Sequence, residues 1–194
     1  MKESKIKKIR ENITEVEFQK LLTYLRGSEI LNKNTKINFT RTFTLLYFTG
    51  CRLNEIKQLK IKDIKTIFSS EELIILTPKT NRERKLFFSK NAIKEIKKCF
   101  ELKNLDDNDF IIGTKGDYSK VPSDITYITA INKFIQKVLG ERYSSHSFRS
   151  GLITDMSKTI NAKFIKEFIG HSDISTTMRY IKPTDSDLRG CLIR

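Results

Sequence analysis

The sequence predicts a mainly helical domain carrying a small three-stranded antiparallel sheet. Apolar residues recur at helical spacing over most of the chain, as in Phe18, Leu21, Leu22 and Leu25. Only between residues 61 and 88 does the pattern change to short β-rich runs joined by polar turns. Eight glycines and three prolines are too scattered to mark a linker, so 194 residues with 38% hydrophobic content read as one domain with a substantial core.

Residues 1–13 form a basic lead-in, and Thr14-Glu-Val-Glu17 is a capping box that opens a helix ending near Gly27. A second helix from about Thr35 to Thr49 buries Ile37, Phe43, Leu45, Leu46 and Phe48. Gly50 breaks it, so Arg52 falls at a helix junction with Glu55 three residues on, placed to hold the guanidinium from behind. Residues 61–67, 73–78 and 85–88 are the three expected strands, and the turn from Lys79 to Arg84 is strongly basic. Helices follow at about 90–101 and 124–139, the second closed by Gly140, with a polar loop from Asp106 to Pro122 between them. Ser145 is placed to cap a helix on which His146 and Arg149, three residues apart, share one face. Gly170 ends the next helix and puts His171 on a turn. Asp173 or Ser172 then caps a last helix carrying Thr176, Thr177 and Tyr180. The domain is expected to span residues 14–183, leaving a tail at 184–194 whose Leu188, Leu192 and Ile193 share a helix face.

A formal net charge of +14 points to a polyanion, because neutralising phosphates releases their counterions. Lysine travels with abundant Ile, Asn and Phe, a mixture an AT-rich genome favours, so charge supports this reading without carrying it. Cys51, Cys99 and Cys191 form neither a C-x-x-C pair nor an even framework, and they read as reduced thiols of a cytoplasmic protein with no chemistry of their own. The N-terminus lacks the apolar core of a signal peptide, and no apolar run approaches the roughly eighteen residues of a membrane span. Carboxylates near the histidines are scattered, and no Walker-type glycine loop occurs, so neither metal nor ATP is expected.

His146-Ser-Phe-Arg149, Ile169-Gly-His171-Ser-Asp-Ile-Ser-Thr176-Thr177 and Tyr180 together resemble the C-terminal signature of the tyrosine recombinases, also called phage integrases: H-x-x-R, L-G-H-x-x-x-x-T-T, then a tyrosine. Thr49-Gly-Cys-Arg52-Leu-Asn-Glu55 is similar to the family's first box, T-G-x-R-x-x-E. The basic turn resembles its β-hairpin, G-K-x-x-K-x-R-x-V-P-L, with Pro78 standing where glycine is usual and Phe87 where proline is usual.

The resemblance implies the α+β catalytic-domain fold of that family and a site-specific recombinase or integrase that cuts and rejoins DNA through a 3′-phosphotyrosyl link, without cofactor. It implies catalytic roles for Arg52, Lys79, His146, Arg149, His171 and Tyr180, support from Glu55, and DNA contacts from Arg82 and Arg84. Expected partners are double-stranded DNA and further copies of the chain, as a dimer or tetramer on DNA, and no membrane. In relatives the C-terminal tail passes to a neighbouring protomer. Most members carry an additional N-terminal helical domain that thirteen residues do not supply, yet single-domain members that invert promoter segments exist, so both a complete protein and a fragment fit. A DNA-binding protein without catalysis is the rival from another class, and a strand-passing topoisomerase is the nearer enzymatic one. The first has no use for Tyr180 and Lys79 together.

Overall fold

In a computed structural model of the chain, residues 11–77, 82–101 and 105–181 are described, with Asp185 and Arg189 beyond them. Lys79 and the rest of the expected tail lie outside the described residues. The described elements run α1 (Glu15–Gly27), α2 (Lys33–Thr49), α3 (Leu53–Lys57), α4 (Ile61–Ser70), β1 (Glu72–Thr77), β2 (Arg82–Phe87), α5 (Lys90–Cys99), α6 (Asp124–Leu139), α7 (Ser145–Met156), α8 (Ala162–Ile169) and α9 (Ile174–Met178).

Helix starts follow local chemistry. The Glu17 carboxylate accepts from the Thr14 N–H at 3.0 Å, closing the capping box of α1. Asn32 caps α2 by accepting from Thr35 N at 2.9 Å, two residues earlier than the apolar spacing alone predicts. Helix α7 starts at Ser145, so its N-cap is Ser144 rather than the expected Ser145; Ser147 Oγ accepts from Ser144 N at 3.1 Å. Asp173, not Ser172, caps α9.

The described sheet has two antiparallel strands, in the register Glu72–Phe87 through Thr77–Arg82, where three were expected. The segment predicted as the first strand, 61–67, is helix α4. Its β-branched composition suggested a strand, but Ile61, Ile64 and Ile67 are three apart and all fully buried. Such spacing alternates faces on a strand and stays on one face of a helix. Asp63 adds the start signal by accepting from Lys60 N at 2.8 Å.

Helix α2 occupies the centre, packed against α1, α5 and α7. Phe43 stacks between Phe134 of α6 and Phe148 of α7, with ring centroids 5.7 and 5.9 Å away. These rings seat the helix that carries His146 and Arg149 on the core. A second, smaller cluster of Ile153, Ile165 and Ile169 joins α7 to α8, and Tyr180 packs against it. The Glu11–Ile13 end of the expected lead-in also belongs to the folded unit. Ile13 is 1% exposed and its N–H donates to Ser147 O at 3.0 Å, which straps the segment across α7. No helix among the described residues is long and apolar enough to cross a membrane.

Candidate active site

The site is assembled where α2 and α8 end and α3 and α7 begin. Gly50 closes α2 with φ +58°, and a Cβ there would stand 2.9 Å from Leu152 and 3.1 Å from Ile169, so glycine meets both the left-handed turn and the close approach. The turn delivers Arg52 to the N-cap of α3. Glu55, with a side chain 1% exposed, accepts from Arg52 Nη1 at 3.0 Å through Oε1 and from Arg52 N at 2.8 Å through Oε2. Burial pushes the Glu55 carboxyl upward, but the Arg84 guanidinium and the Arg52 N–H outweigh it and hold the group below the usual carboxylate range.

Arg149, one turn into α7, is 4% exposed. Its Nη1 donates to Gly50 O at 2.9 Å and its Nη2 to Ile169 O, so one guanidinium ties the α2–α3 junction to the end of α8. Burial, together with the charges of Arg52 and Arg84, lowers its pKa to about 10, which leaves it protonated at neutral pH. His146 is exposed on the first turn of the same helix. Arg52, His146 and Arg149 all line one cleft of about 460 Å³. Helix α6 forms its other wall, held to α3 by an ion pair between Lys57 and Asp124 and by Lys57 Nζ donating to Pro122 O at 3.1 Å.

His171 follows Gly170 at the end of α8. Its Nδ1 lies 2.9 Å from the hydroxyl of fully buried Thr177. A hydroxyl that donates to Nδ1 leaves the ring proton on Nε2, the nitrogen available to a substrate. Burial, then the charges of Arg149, Arg52 and Arg84, lowers the His171 pKa to about 4, so the ring is neutral at working pH. The half-buried Tyr180 ring stacks against it at 6.3 Å between centroids, with 20° between the planes.

The structure therefore brings five expected residues into two adjoining groups, Arg52, His146 and Arg149 in the cleft and His171 beside Tyr180, linked through Arg149. Glu55 stands behind Arg52 as expected. Lys79 lies outside the described residues, as does the side chain of Arg82, whose backbone ends the pairing of β2 with Thr77. Arg84 departs from its expected role as a DNA contact. Its side chain is 4% exposed and its guanidinium is bonded to Glu55, Cys51 and Phe168 inside the protein. The reason is strand parity, because Arg84 shares the inward face of β2 with Leu86, and Phe88 continues the same alternation. Asn54, Asn132 and Ser144 also line the cleft and were passed over in the sequence, where nothing but the placement of Asn54 two residues after Arg52 marks them. Asn54 Oδ1 and Ser144 Oγ are buried on that wall without a hydrogen-bond partner. Among the described residues no group of three or more His, Cys, Asp or Glu stands together as a metal site would require.

A family described as the phage integrase family matches residues 11–187. The chain is 27% identical over 189 residues to the tyrosine recombinase XerA of Pyrococcus furiosus, covering 97% of this chain and 63% of that protein. It is 28% identical over 146 residues to XerA of Pyrococcus horikoshii, covering 75% and 50%. Its fold is similar to the crystal structure of XerA recombinase, with a TM-score of 0.70 at 21% identity over 94% of this chain and 64% of that one. A lambda integrase tetramer bound to a Holliday junction is similar with a TM-score of 0.62 at 18% identity, over 91% and 50%. The chain thus spans between half and two thirds of the length of these relatives.

Proposed function

Since the chain belongs to the phage integrase family, we propose that it is the catalytic domain of a site-specific DNA recombinase, with double-stranded DNA as its substrate and further copies of itself as partners on DNA, acting in the cytoplasm. One observation carries the reading. Arg52 and Arg149 line one cleft, and Arg149, held by the main-chain carbonyls of Gly50 and Ile169, ties that cleft to the turn on which a neutral His171 stacks against the Tyr180 ring.

Tyr180 Oη attacks a backbone phosphorus, its proton passing to the exposed imidazole of His146. Negative charge gathers on the nonbridging oxygens in the transition state, where Arg52, Arg149 and the Nε2–H of His171 donate. The P–O5′ bond breaks as Lys79 protonates the departing oxygen, leaving a 3′-phosphotyrosyl bond and a 5′-hydroxyl. A 5′-hydroxyl from another strand then attacks the same phosphorus and expels Tyr180, so the bond energy is retained throughout.

The test is to incubate the protein with nicked duplex libraries that lose a short fragment on cleavage, trap the adducts on denaturing gels and sequence the linked DNA. Adducts confined to 3′ ends at a defined sequence, formed equally in EDTA, support the reading. DNA binding with no adduct on any nicked substrate would leave a binding protein in its place.

A further inference from the structure

Arg84 has no part in the chemistry above, yet it sits beneath it. Its guanidinium serves three segments at once: Nη2 donates to Glu55 Oε2 at 2.8 Å and to Cys51 Sγ at 3.2 Å, and Nη1 to Phe168 O at 2.7 Å. Gly170 closes over its arm, with φ +74° and a position at which a Cβ would lie 2.9 Å from Arg84 Cδ. We infer that Arg84 is a positioning residue, which through Glu55 holds the phosphate-facing Arg52 and through Phe168 holds the His171 turn, so that both move as one unit with strand β2. The inference rests on the strand-transfer reading and extends it to a residue outside the reacting set.

The division of the Glu55 carboxylate carries the argument. Arg52 is 37% exposed on its side chain, so packing alone does little to orient it, and Glu55 Oε1 is its anchor. That anchor can rotate unless its second oxygen is fixed. Arg84 Nη2 and Arg52 N both donate to it, each at 2.8 Å. On the other flank, Phe168 O is three residues before His171, and Arg149 holds the neighbouring Ile169 O. Two buried forks therefore grip consecutive carbonyls at the end of α8, one reaching from β2 and one from α7. A DNA contact would require Arg84 to abandon the buried Glu55 carboxylate and leave it an unpaired internal charge. Lysine cannot substitute, because one ammonium does not span Glu55 and Phe168 as a planar fork does.

The experiment compares R84K and R84M, each alone and combined with R52A, with the unaltered 194-residue chain, reading single-turnover adduct formation well below each melting temperature, DNA affinity against salt, and amide exchange without DNA. Adduct formation slows about a hundredfold in R84K and R84M, the usual result of misplacing reacting groups by about an ångström. Affinity and its salt dependence stay as in the parent, and R84M slows R52A less than it slows the parent, because only the hold on the His171 turn remains to be lost. In the unliganded protein, exchange quickens at the amides of Glu55 and His171 while α1 keeps its protection. A salt slope lower by about one would make Arg84 a phosphate contact and overturn the inference. Full additivity with R52A, or exchange accelerated evenly across the whole protein, overturns it equally. Should R84M fail to fold, R84K keeps a cation beside the buried Glu55 carboxylate and carries the rate, additivity and exchange comparisons. An unaltered protein that forms no adduct would sink the strand-transfer reading, while the exchange comparison would still decide the role of Arg84.

Discussion

Replacing Arg149 with alanine should damage stability and chemistry together, by amounts the structure sets separately. The substitution strips hydrogen bonds from two inward carbonyls, Gly50 O and Ile169 O. Each unmade buried bond costs about 1–3 kcal/mol. Part is returned, because a cation lowered to a pKa of about 10 by burial and by Arg52 and Arg84 no longer has to be kept there. The net loss is about 2–4 kcal/mol, which for a domain of this size lowers the melting temperature by about 5–15 °C. Loss of one charge-stabilising donor slows phosphotransfer by about two to three orders of magnitude. Thermal melts followed by circular dichroism, and single-turnover adduct formation at 20 °C, read the two effects independently. Arg149→Lys should fall between, keeping the charge and surrendering at least one carbonyl. An Arg149→Ala protein that melts with the parent refutes the double anchor, and one that cleaves within tenfold of it refutes the phosphate clamp.

If Lys79 is the general acid, Lys79→Ala should be rescued by DNA with sulfur at the bridging 5′ position, because a thiolate leaves without a proton; equal impairment on oxygen and sulfur substrates moves the role elsewhere, Lys85 being the nearest alternative. The His171 ring should stay neutral from pH 8 to pH 5.5 and titrate near pH 4 when its C2 proton is followed by NMR. Because the unfolded chain takes up that proton first, near 6.5, the stability linked to the neutral ring is complete above that value and is lost as pH falls through 4. A midpoint above 6 in the folded protein contradicts the placement of His171 beside Arg149. Ile64→Ala should cost about 2–5 kcal/mol by urea denaturation and Lys65→Ala less than about 0.5, the contrast a helical α4 requires; a strand at 61–67 would instead group residue 65 with buried Ile61 and Ile67.

Most of the site was legible because its chemistry is tied to helix punctuation. Gly50 before Arg52, and Gly170 before His171, announce turns in the sequence, and the three-residue spacing of His146 and Arg149 places both on one face wherever the helix begins. A shift of the cap from Ser145 to Ser144 therefore changed nothing that matters. Helix α4 was not legible by composition, because Ile and Thr favour strands while the three-residue spacing of Ile61, Ile64 and Ile67 favours a helix, and burial decided for spacing. Arg84 was misread for the opposite reason. Its charge suggested solvent or DNA, whereas its parity with Leu86 directed it inward toward Glu55, a partner separated from it by 29 residues of sequence. Long-range pairing of that kind, like the grip of Arg149 on Ile169, appears only once the chain is folded.

The central claim is that Tyr180 becomes covalently joined to DNA. Adducts trapped on the nicked substrates should be digested with nuclease and protease and the modified peptide sequenced by mass spectrometry, with Tyr180→Phe run alongside. The account predicts a nucleotide-bearing phosphotyrosine at residue 180, and a Tyr180→Phe protein that binds the same DNA with parental affinity yet yields no adduct. A modification at Tyr143 or Tyr127, or an adduct that persists in Tyr180→Phe, would contradict it.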